Sequence, residues 1–354
     1  MKTILITGGA GFVGSNLALH LKQHYDNVRI IAQDNLIRRG SELNLPRLKE
    51  NGIEFVKGDI RNPEDIASVG AFDTLLECSA EPSVLAGYGS SPRYVIDTNL
   101  GGTVNCLEAA REHNAEFLFL STSRVYPIKP LNNLTWREDT TRFAWEDTQP
   151  LPGASSQGIT EAFPLEGTRS MYGATKLASE LIMQEYLEMY DMRGIINRCG
   201  VITGPWQMGK VDQGVVVLWA ARHIYGGALS YIGYGGTGKQ VRDFVHIDDL
   251  ARLVTYQLDH IGELSGQTFN VGGGLDVSVS LQELTTICQG LTGNTIHIAS
   301  EMEDRPADLR LYITDNTRIT QATGWAPEKT VETTLEDIVK WIRDNQEQLQ
   351  PILT

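Results

Sequence analysis

Tyr172 and Lys176 stand four residues apart at the start of a periodic apolar stretch. A helix over Met171–Tyr190 therefore presents both side chains from one face. An ammonium beside a phenol favours the phenolate, which lets tyrosine exchange a proton near neutral pH. An alcohol needs such a partner when its carbon gives up a hydride. The Y-x-x-x-K spacing alone is a weak signal, because a chain with 12 tyrosines produces such pairs by chance. Upstream, the apolar run Phe117–Ser121 ends in Ser121-Thr122-Ser123. Hydroxyls at the carboxyl end of a strand point into the ligand crevice of a parallel sheet. Thr122 can then hydrogen-bond the substrate oxygen that Tyr172 deprotonates. A surface tyrosine with a nearby lysine and a strand-end threonine is the plainer alternative.

Such a crevice needs a scaffold, and the amino terminus supplies its first piece. Lys2–Thr7 is a short apolar β-run, followed at once by Gly8-Gly9-Ala10-Gly11-Phe12-Val13-Gly14 and a helical stretch, Gly14–Tyr25. Glycines spaced this way bring bare backbone N–H groups against a pyrophosphate, and the helix N-terminus adds positive partial charge. An acidic residue, Asp34, follows the second apolar run, Val28–Ala32, at the place where a ribose is held. Further short runs at Phe55–Lys57, Thr74–Cys78, Phe117–Ser121 and Gly194–Asn197 alternate with helical segments such as Gly101–His113. This alternation predicts an α/β fold, a Rossmann-type doubly wound parallel sheet over residues 1–200. After Gly200, glycine and proline become frequent and shorter helices are expected. Residues 201–354 read as a smaller mixed α/β C-terminal substrate lobe, with Phe269–Gly272 as a strand returning to the main sheet. The long polar segment Pro127–Ser170 reads as a loop covering the active site.

Composition narrows the partners. A formal net charge of −14 over 354 residues argues against nucleic acid, which demands clustered lysine and arginine. Cys78, Cys106, Cys199 and Cys288 show no metal-ligand or disulfide spacing, so no metal site is expected and the thiols read as buried and reduced. No apolar run approaches membrane-spanning length and nothing resembles a signal peptide, so a cytoplasmic protein without a membrane partner is expected.

Taken in order, these strings resemble the extended short-chain dehydrogenase/reductase superfamily over nearly the whole chain. They include Gly8-x-x-Gly11-x-x-Gly14, Asp34-Asn35-Leu36, Gly58-Asp59-Ile60-Arg61, Asp97-Thr98-Asn99-Leu100, Ser121–Tyr126, Tyr172-x-x-x-Lys176 and Gly238–His246. The resemblance implies that NAD is bound by Gly8, Gly11, Phe12, Val13, Gly14, Asn35, Arg38, Ser79, Ala80, Glu81 and Asn99. It also implies Asp34 on the adenosine ribose, Asp59 and Ile60 beside the adenine, and Lys176 on the nicotinamide ribose. Asp34 would repel a 2′-phosphate, which favours NAD over NADP. Thr122, Tyr172 and Lys176 become the implied catalytic trio, and a homodimer or higher homo-oligomer the implied assembly.

Smaller differences point to a subgroup. Sugar-nucleotide 4,6-dehydratases follow the hydroxyl residue with Asp-Glu, and a related decarboxylase group keeps a glutamate where this chain has Arg124. Here Thr122 is followed by Ser123-Arg124, and a guanidinium cannot serve as a carboxylate base. The chain most resembles the CDP-tyvelose 2-epimerase (CDP-paratose epimerase) group, in Arg38-Arg39-Gly40, Glu138–Phe143, Asp212-Gln213-Gly214-Val215-Val216 and Asp304-Arg305 through Arg310. The implied reaction is transient oxidation of a nucleotide-diphosphate sugar to a keto-sugar, with hydride returned to the opposite face. Arg242 and Arg305 would clamp the diphosphate, and Ser83, Ser123, Arg124, Val201 and Gln213 would line the sugar side. Two departures stand out. Relatives usually show His-x-Ala-Ala-Gln where this chain reads Glu77-Cys78-Ser79-Ala80-Glu81, and many carry asparagine at Val201. A UDP-hexose 4-epimerase, a keto-sugar reductase and a non-catalytic NAD sensor are the competing readings.

Overall fold

A computed structural model describes residues 1–209 and 213–354, so Asp212 of the motif above lies outside the described residues. The strands that build the first unit are near-continuous apolar runs, as burial on both faces of a parallel sheet demands. In chain order they are β1 (Lys2–Thr7), β2 (Val28–Asp34), β3 (Glu54–Lys57), β4 (Thr74–Glu77), β5 (Glu116–Thr122), β6 (Gly194–Cys199) and β7 (Thr268–Val271). Helices α1 (Phe12–His24), α2 (Gly102–Glu112), α3 (Met171–Met189) and α4 (Ile247–Asp259) connect them. All seven residues of β5 are buried, whereas β3, at the sheet edge, exposes Glu54 and Lys57.

The sheet order is β7-β6-β5-β4-β1-β2-β3, and the pairings among β1 to β6 are all parallel. The order reverses between β1 and β4, and ligands of such sheets bind beyond the strand ends at that switch point. Register decides which side chains meet there. Thr7 stands opposite Glu77, Glu77 opposite Phe119, and Thr122 opposite Cys199. β7 joins beside β6 through Ile196 N–H to Gln267 O (3.0 Å) and Gly200 N–H to Val271 O (2.8 Å), the stepping of a parallel pair.

The chain divides into two compact units, the first made of Met1–Val125, Ser170–Cys199 and Leu250–Phe269. This differs from a boundary at residue 200. A parallel return strand requires a crossover on the sheet face, and α4 is that crossover. It contributes buried Leu250, Leu253, Val254 and Leu258, and Gln257 exchanges two hydrogen bonds with Asn197 of β6, at 2.7 and 2.9 Å.

The second unit comprises Tyr126–Arg169, Gly200–Asp249 and Asn270–Thr354. The segment expected as a loop covering the active site carries a short helix (Ile128–Asn132) and two antiparallel pairs, Trp136–Glu138 with Phe143–Trp145 and Ala154–Ser155 with Gly158–Ile159. The helices of this unit are not short either. Val215–Tyr225, Leu281–Thr292 and Val331–Asp344 have 11, 12 and 14 residues, against 13 for α1. Most of these glycines fall at helix ends and turns, with Gly290 inside a helix as the exception: Gly214 and Gly226 flank one helix and Gly293 ends another. Glycine frequency thus marks connections and says nothing about the length of what lies between them.

Two glycines make a direct test of close approach. A Cβ at Gly14 would sit 2.3 Å from Gly8 O, whereas one at Gly290, inside Leu281–Thr292, would meet nothing within 4 Å. Gly14→Ala should cost about 1–3 kcal/mol of stability, and Gly290→Ala should add about 0.5–1 kcal/mol. Urea unfolding of both variants measures the contrast; equal effects would remove the packing argument for Gly14.

Candidate active site

The glycine turn is built by contact as much as by torsion. Gly8 has φ +66°, and a Cβ there would sit 2.8 Å from the Cys78 carbonyl, where the chain leaves β4. A Cβ at Gly9 would sit 2.6 Å from Ala32 Cα of β2. The turn thus lies flat against two neighbouring strands, and α1 begins at Gly11 without a side-chain cap. Its first N–H groups are therefore left for an anion. Asp34 accepts from Ala10 N–H (3.2 Å) and Leu36 N–H (2.8 Å). Burial pushes its carboxyl up, and the N–H groups of Leu36, Ala10 and Gly11 oppose that shift. This cradle, which side chains would fill, fits a dinucleotide pyrophosphate with its ribose at Asp34.

Around the expected adenine side, Asn35 Nδ2 donates to Asp59 (3.0 Å), and the Arg61 fork holds Asp59 at 2.9 and 2.6 Å. That fork lowers the Asp59 carboxyl to about 2. Ile60 is buried, with its Cδ1 against Gly102. Phe12 and Val13 open α1, and the Arg38 carbonyl accepts from Ser41 N–H. Asn99 grips the backbone after β4, accepting from Glu81 N–H (2.8 Å) and donating to Glu81 O (3.0 Å). It sits in a π-helical turn, Asp97–Gly101, that leads into α2. The carboxamide expected to touch the cofactor thus fixes the Ser79–Glu81 segment, and Glu81 in turn accepts from Ser83 N–H (3.1 Å).

The proposed chemistry gathers at the ends of β4, β5 and β6 under α3. Ser170 caps α3 by accepting from Gly173 N–H (3.2 Å), which puts Tyr172 and then Lys176 on its first turns. Thr122 pulls the Tyr172 phenol down and accepts from Arg124 N–H at 3.2 Å. Lys176 is 1% exposed, with Nζ 3.8 Å from the Phe119 ring centroid. One turn on, buried Glu180 pairs with Arg198 at 2.7 Å and accepts from Ser121 Oγ.

The electrostatics depart from expectation at Tyr172. Its phenol is raised above the ordinary value, because burial outweighs the Thr122 hydrogen bond and the Arg124 charge that pull it down. Lys176 is itself lowered by burial, which Glu77 and Glu180 counter. A lone ammonium therefore does not make this tyrosine acidic. The groups lowering it are Thr122 and Arg124, and Arg124 was expected only as a substrate contact. Motif spacing also missed the Glu180–Arg198–Ser121 network. The one signal for it was a charged pair inside otherwise apolar elements.

Ser123 is buried in the first unit, just beyond β5, and the remaining expected substrate residues lie in the second unit. Val201 pairs with Phe244 in a small sheet, and Gln213 is half-buried just before the Val215–Tyr225 helix. Arg242 donates to Asp308 (2.8 Å) and to the carbonyls of Leu309 and Val241. Arg305 offers its carbonyl to Asp308 N–H at 3.3 Å.

A glycine cradle with an acidic strand end, and a Thr–Tyr–Lys cluster beyond β5, define a dinucleotide-dependent enzyme on a Rossmann sheet. Residues 4–272 match the NAD dependent epimerase/dehydratase family, and the chain belongs to it; NAD is its cofactor. The chain is 30% identical to a CDP-paratose 2-epimerase of Salmonella typhi, over 96% of this chain and 98% of that one. It is 28% identical to a dTDP-glucose 4,6-dehydratase of Escherichia coli, over 99% and 96%. Among solved structures, a dTDP-glucose 4,6-dehydratase of Bacillus anthracis in complex with NAD superposes with a TM-score of 0.76 at 26% identity, covering 99% of this chain and all of that one. A UDP-glucose 4-epimerase of Thermotoga maritima gives 0.77 at 23% identity, over 98% and 100%, which speaks for the fold alone.

Breaking the Glu180–Arg198 pair from one side should leave a carboxylate buried without its cation. Arg198→Met is expected to cost about 3–5 kcal/mol, and the double change Glu180→Met/Arg198→Met to recover most of it. Denaturant unfolding in a double-mutant cycle checks this. Additive losses would show that the two residues do not act as a pair.

Proposed function

We propose that this protein is an NAD-dependent nucleotide-sugar epimerase, acting at C2 of a CDP-deoxyhexose. The observation that carries the reading is the neighbourhood of Tyr172. Thr122 pulls its phenol down, and so does the charged side chain two residues further on, Arg124. A dehydratase must move a second proton to expel water, and a guanidinium is a poor group for that. An epimerase needs one reversible proton transfer at one oxygen, which Thr122 and Tyr172 can provide.

NAD, when bound, supplies the oxidant that takes hydride from the sugar carbon and gives it back. Tyr172 accepts the hydroxyl proton as the carbonyl forms and returns it when the alcohol is restored. Thr122 holds the same oxygen in line with the phenol. Lys176, buried beneath, keeps positive charge near the developing phenolate. In the second unit, Arg242 and Arg305 are the proposed diphosphate contacts, with Arg242 oriented by Asp308. Gln213, Val201, Ser83 and Ser123 remain proposed contacts on the sugar side, and Glu81 a group that could alter the sugar accepted.

A cytoplasmic location goes with this reading, because the four cysteines are free thiols. No helix among the described residues is long and apolar enough to cross a membrane. We also propose a homodimer through α3, where Leu181, Met189 and Tyr190 are 55%, 65% and 45% exposed. Sedimentation should give a dimer that Leu181→Glu weakens; a wild-type monomer at micromolar concentration would remove this assembly.

The reaction is tested by supplying CDP- and UDP-sugars without added NADH and locating the inverted carbon by NMR. Inversion at C2 with retention of the carbon-bound label is expected. Inversion at C4, loss of water, or a stoichiometric need for NADH would each replace the reading. Tyr172→Phe should retain NAD binding and lose about a hundredfold in kcat, about 2.7 kcal/mol of barrier.

A further inference from the structure

Lys176 is not the only charged group sealed under α3. Glu77, the last residue of β4, is 0% exposed and stands in register between Thr7 and Phe119. Phe119 is the ring that carries Lys176 Nζ on its face. Thr103 Oγ lies 2.7 Å from Glu77 Oε1 and equally 2.7 Å from Asn99 O. One hydroxyl proton cannot serve both acceptors at once. Glu77 Oε2 is buried with no hydrogen-bond partner among the described residues. As packing, this is a costly residue, since an apolar side chain would fill the space without desolvating a carboxyl.

Counting charge gives the carboxyl a purpose. Glu180 and Arg198 neutralise one another through their ion pair. Lys176 is left with Glu77 as the other buried carboxyl acting on it. We propose that Glu77 is a positioning residue of this site, a buried carboxyl behind Lys176 whose charge sets the pH range in which Tyr172 can take a proton. The proposal rests on the reading of Tyr172 and Lys176 as the proton-transfer pair.

The surroundings leave Glu77 as the group able to change charge near neutrality. Burial pushes it up to about 7, while Lys176 and the Thr103 hydroxyl draw it down. Burial pushes the thiols of Cys78, Cys106 and Cys199, which face the same pair, well above neutrality, so they stay uncharged. Arg124 and Glu81 act on Tyr172 with opposite signs. Thr7 and Phe119, the strand neighbours, do not titrate. Above neutrality Glu77 is a carboxylate, which holds Lys176 as ammonium and raises the phenol; below it, the cluster gains a net positive charge. Removing a negative charge lowers the pKa of every acid beside it, so losing Glu77 moves Lys176 and Tyr172 downward together.

Glu77→Gln keeps the shape and an acceptor for Thr103 while deleting the charge. In the NAD-loaded protein, tyrosinate absorbance is titrated, and the Tyr172 step is identified by its absence in Tyr172→Phe. Glu77→Gln should move that step down by about one pH unit or more with NAD affinity unchanged. A step at the wild-type pH, or one moved upward, overturns the proposal. Glu77→Met, which also deletes the charge but fills the space with apolar atoms, should move the step the same way. It decides the matter if Glu77→Gln does not fold, and no movement there overturns the proposal equally. With a nucleotide sugar as substrate, the whole pH profile of kcat/KM should slide to lower pH in Glu77→Gln; a profile that drops in height without sliding marks a merely structural residue. Failure to turn over any nucleotide sugar would count against the proposed reaction alone, because the titration needs no substrate.

Discussion

Holding an ammonium charged out of water is the constraint on which this site rests. Removing an ion of that size from water costs several kcal/mol even after the protein relaxes. Lys176 is 1% exposed, and burial does draw its pKa down. What opposes the loss is carboxylate on two sides, Glu77 at the end of β4 and Glu180 one turn further along α3. Those carboxylates reach the lysine because Glu77 stands in register with Phe119, whose ring carries Lys176 Nζ, and because Ser121 and Arg198, paired across β5 and β6, both hold Glu180. A slip of β4 by one residue would turn Glu77 to the face of the sheet opposite Phe119. The sheet is thus less a support beneath the site than the device that sets these charges on one face.

The same strand ends serve the cofactor through close contact. Gly8, Gly9 and Gly14 leave no room for side chains between β1, the exit of β4 and the first turn of α1. Cys78 is where these two requirements join, since its carbonyl packs on Gly8 and its predecessor is Glu77. Asn99 fixes the continuation of that chain by gripping both backbone groups of Glu81. Cofactor cradle and proton-transfer cluster therefore share one short segment, Glu77–Glu81.

Much of this was legible in the sequence where local rules suffice. Glycine spacing, apolar runs and the Tyr172–Lys176 interval marked β1, α1, β5 and α3 within a residue or two, because each depends on near neighbours. What escaped depends on contacts far apart in the chain. α4 belongs with the first sheet only because Gln257 meets Asn197 and β7 must return beside β6. The glycines after Gly200 suggest shorter helices, yet Gly214, Gly226 and Gly293 bound helices of 11 and 12 residues, against 13 for α1. At Tyr172 the sign of the pKa shift was misjudged, since burial is a property of the folded site and not of a four-residue spacing. Glu77 was visible as an odd residue in a familiar string, but its meaning required knowing that Lys176 and Phe119 lie behind it.

Nothing in the Thr122–Tyr172 pair distinguishes one secondary alcohol of a sugar ring from the next. Both groups address a single oxygen, and any ring carbon presented there meets the same phenol. On the reading proposed here, the carbon is chosen by whatever holds the nucleotide handle, and the residues proposed for that, Arg242 and Arg305, belong to the second unit. Arg242 is held by Asp308 and the Leu309 carbonyl, so its fork has a fixed direction before any phosphate arrives. Preorganisation of that kind reduces the ordering cost of binding and makes the anchor a measure of distance. Proton chemistry and choice of carbon then rest on different residues in different units, which is how one catalytic trio can serve epimerisation at more than one position without changing its own geometry.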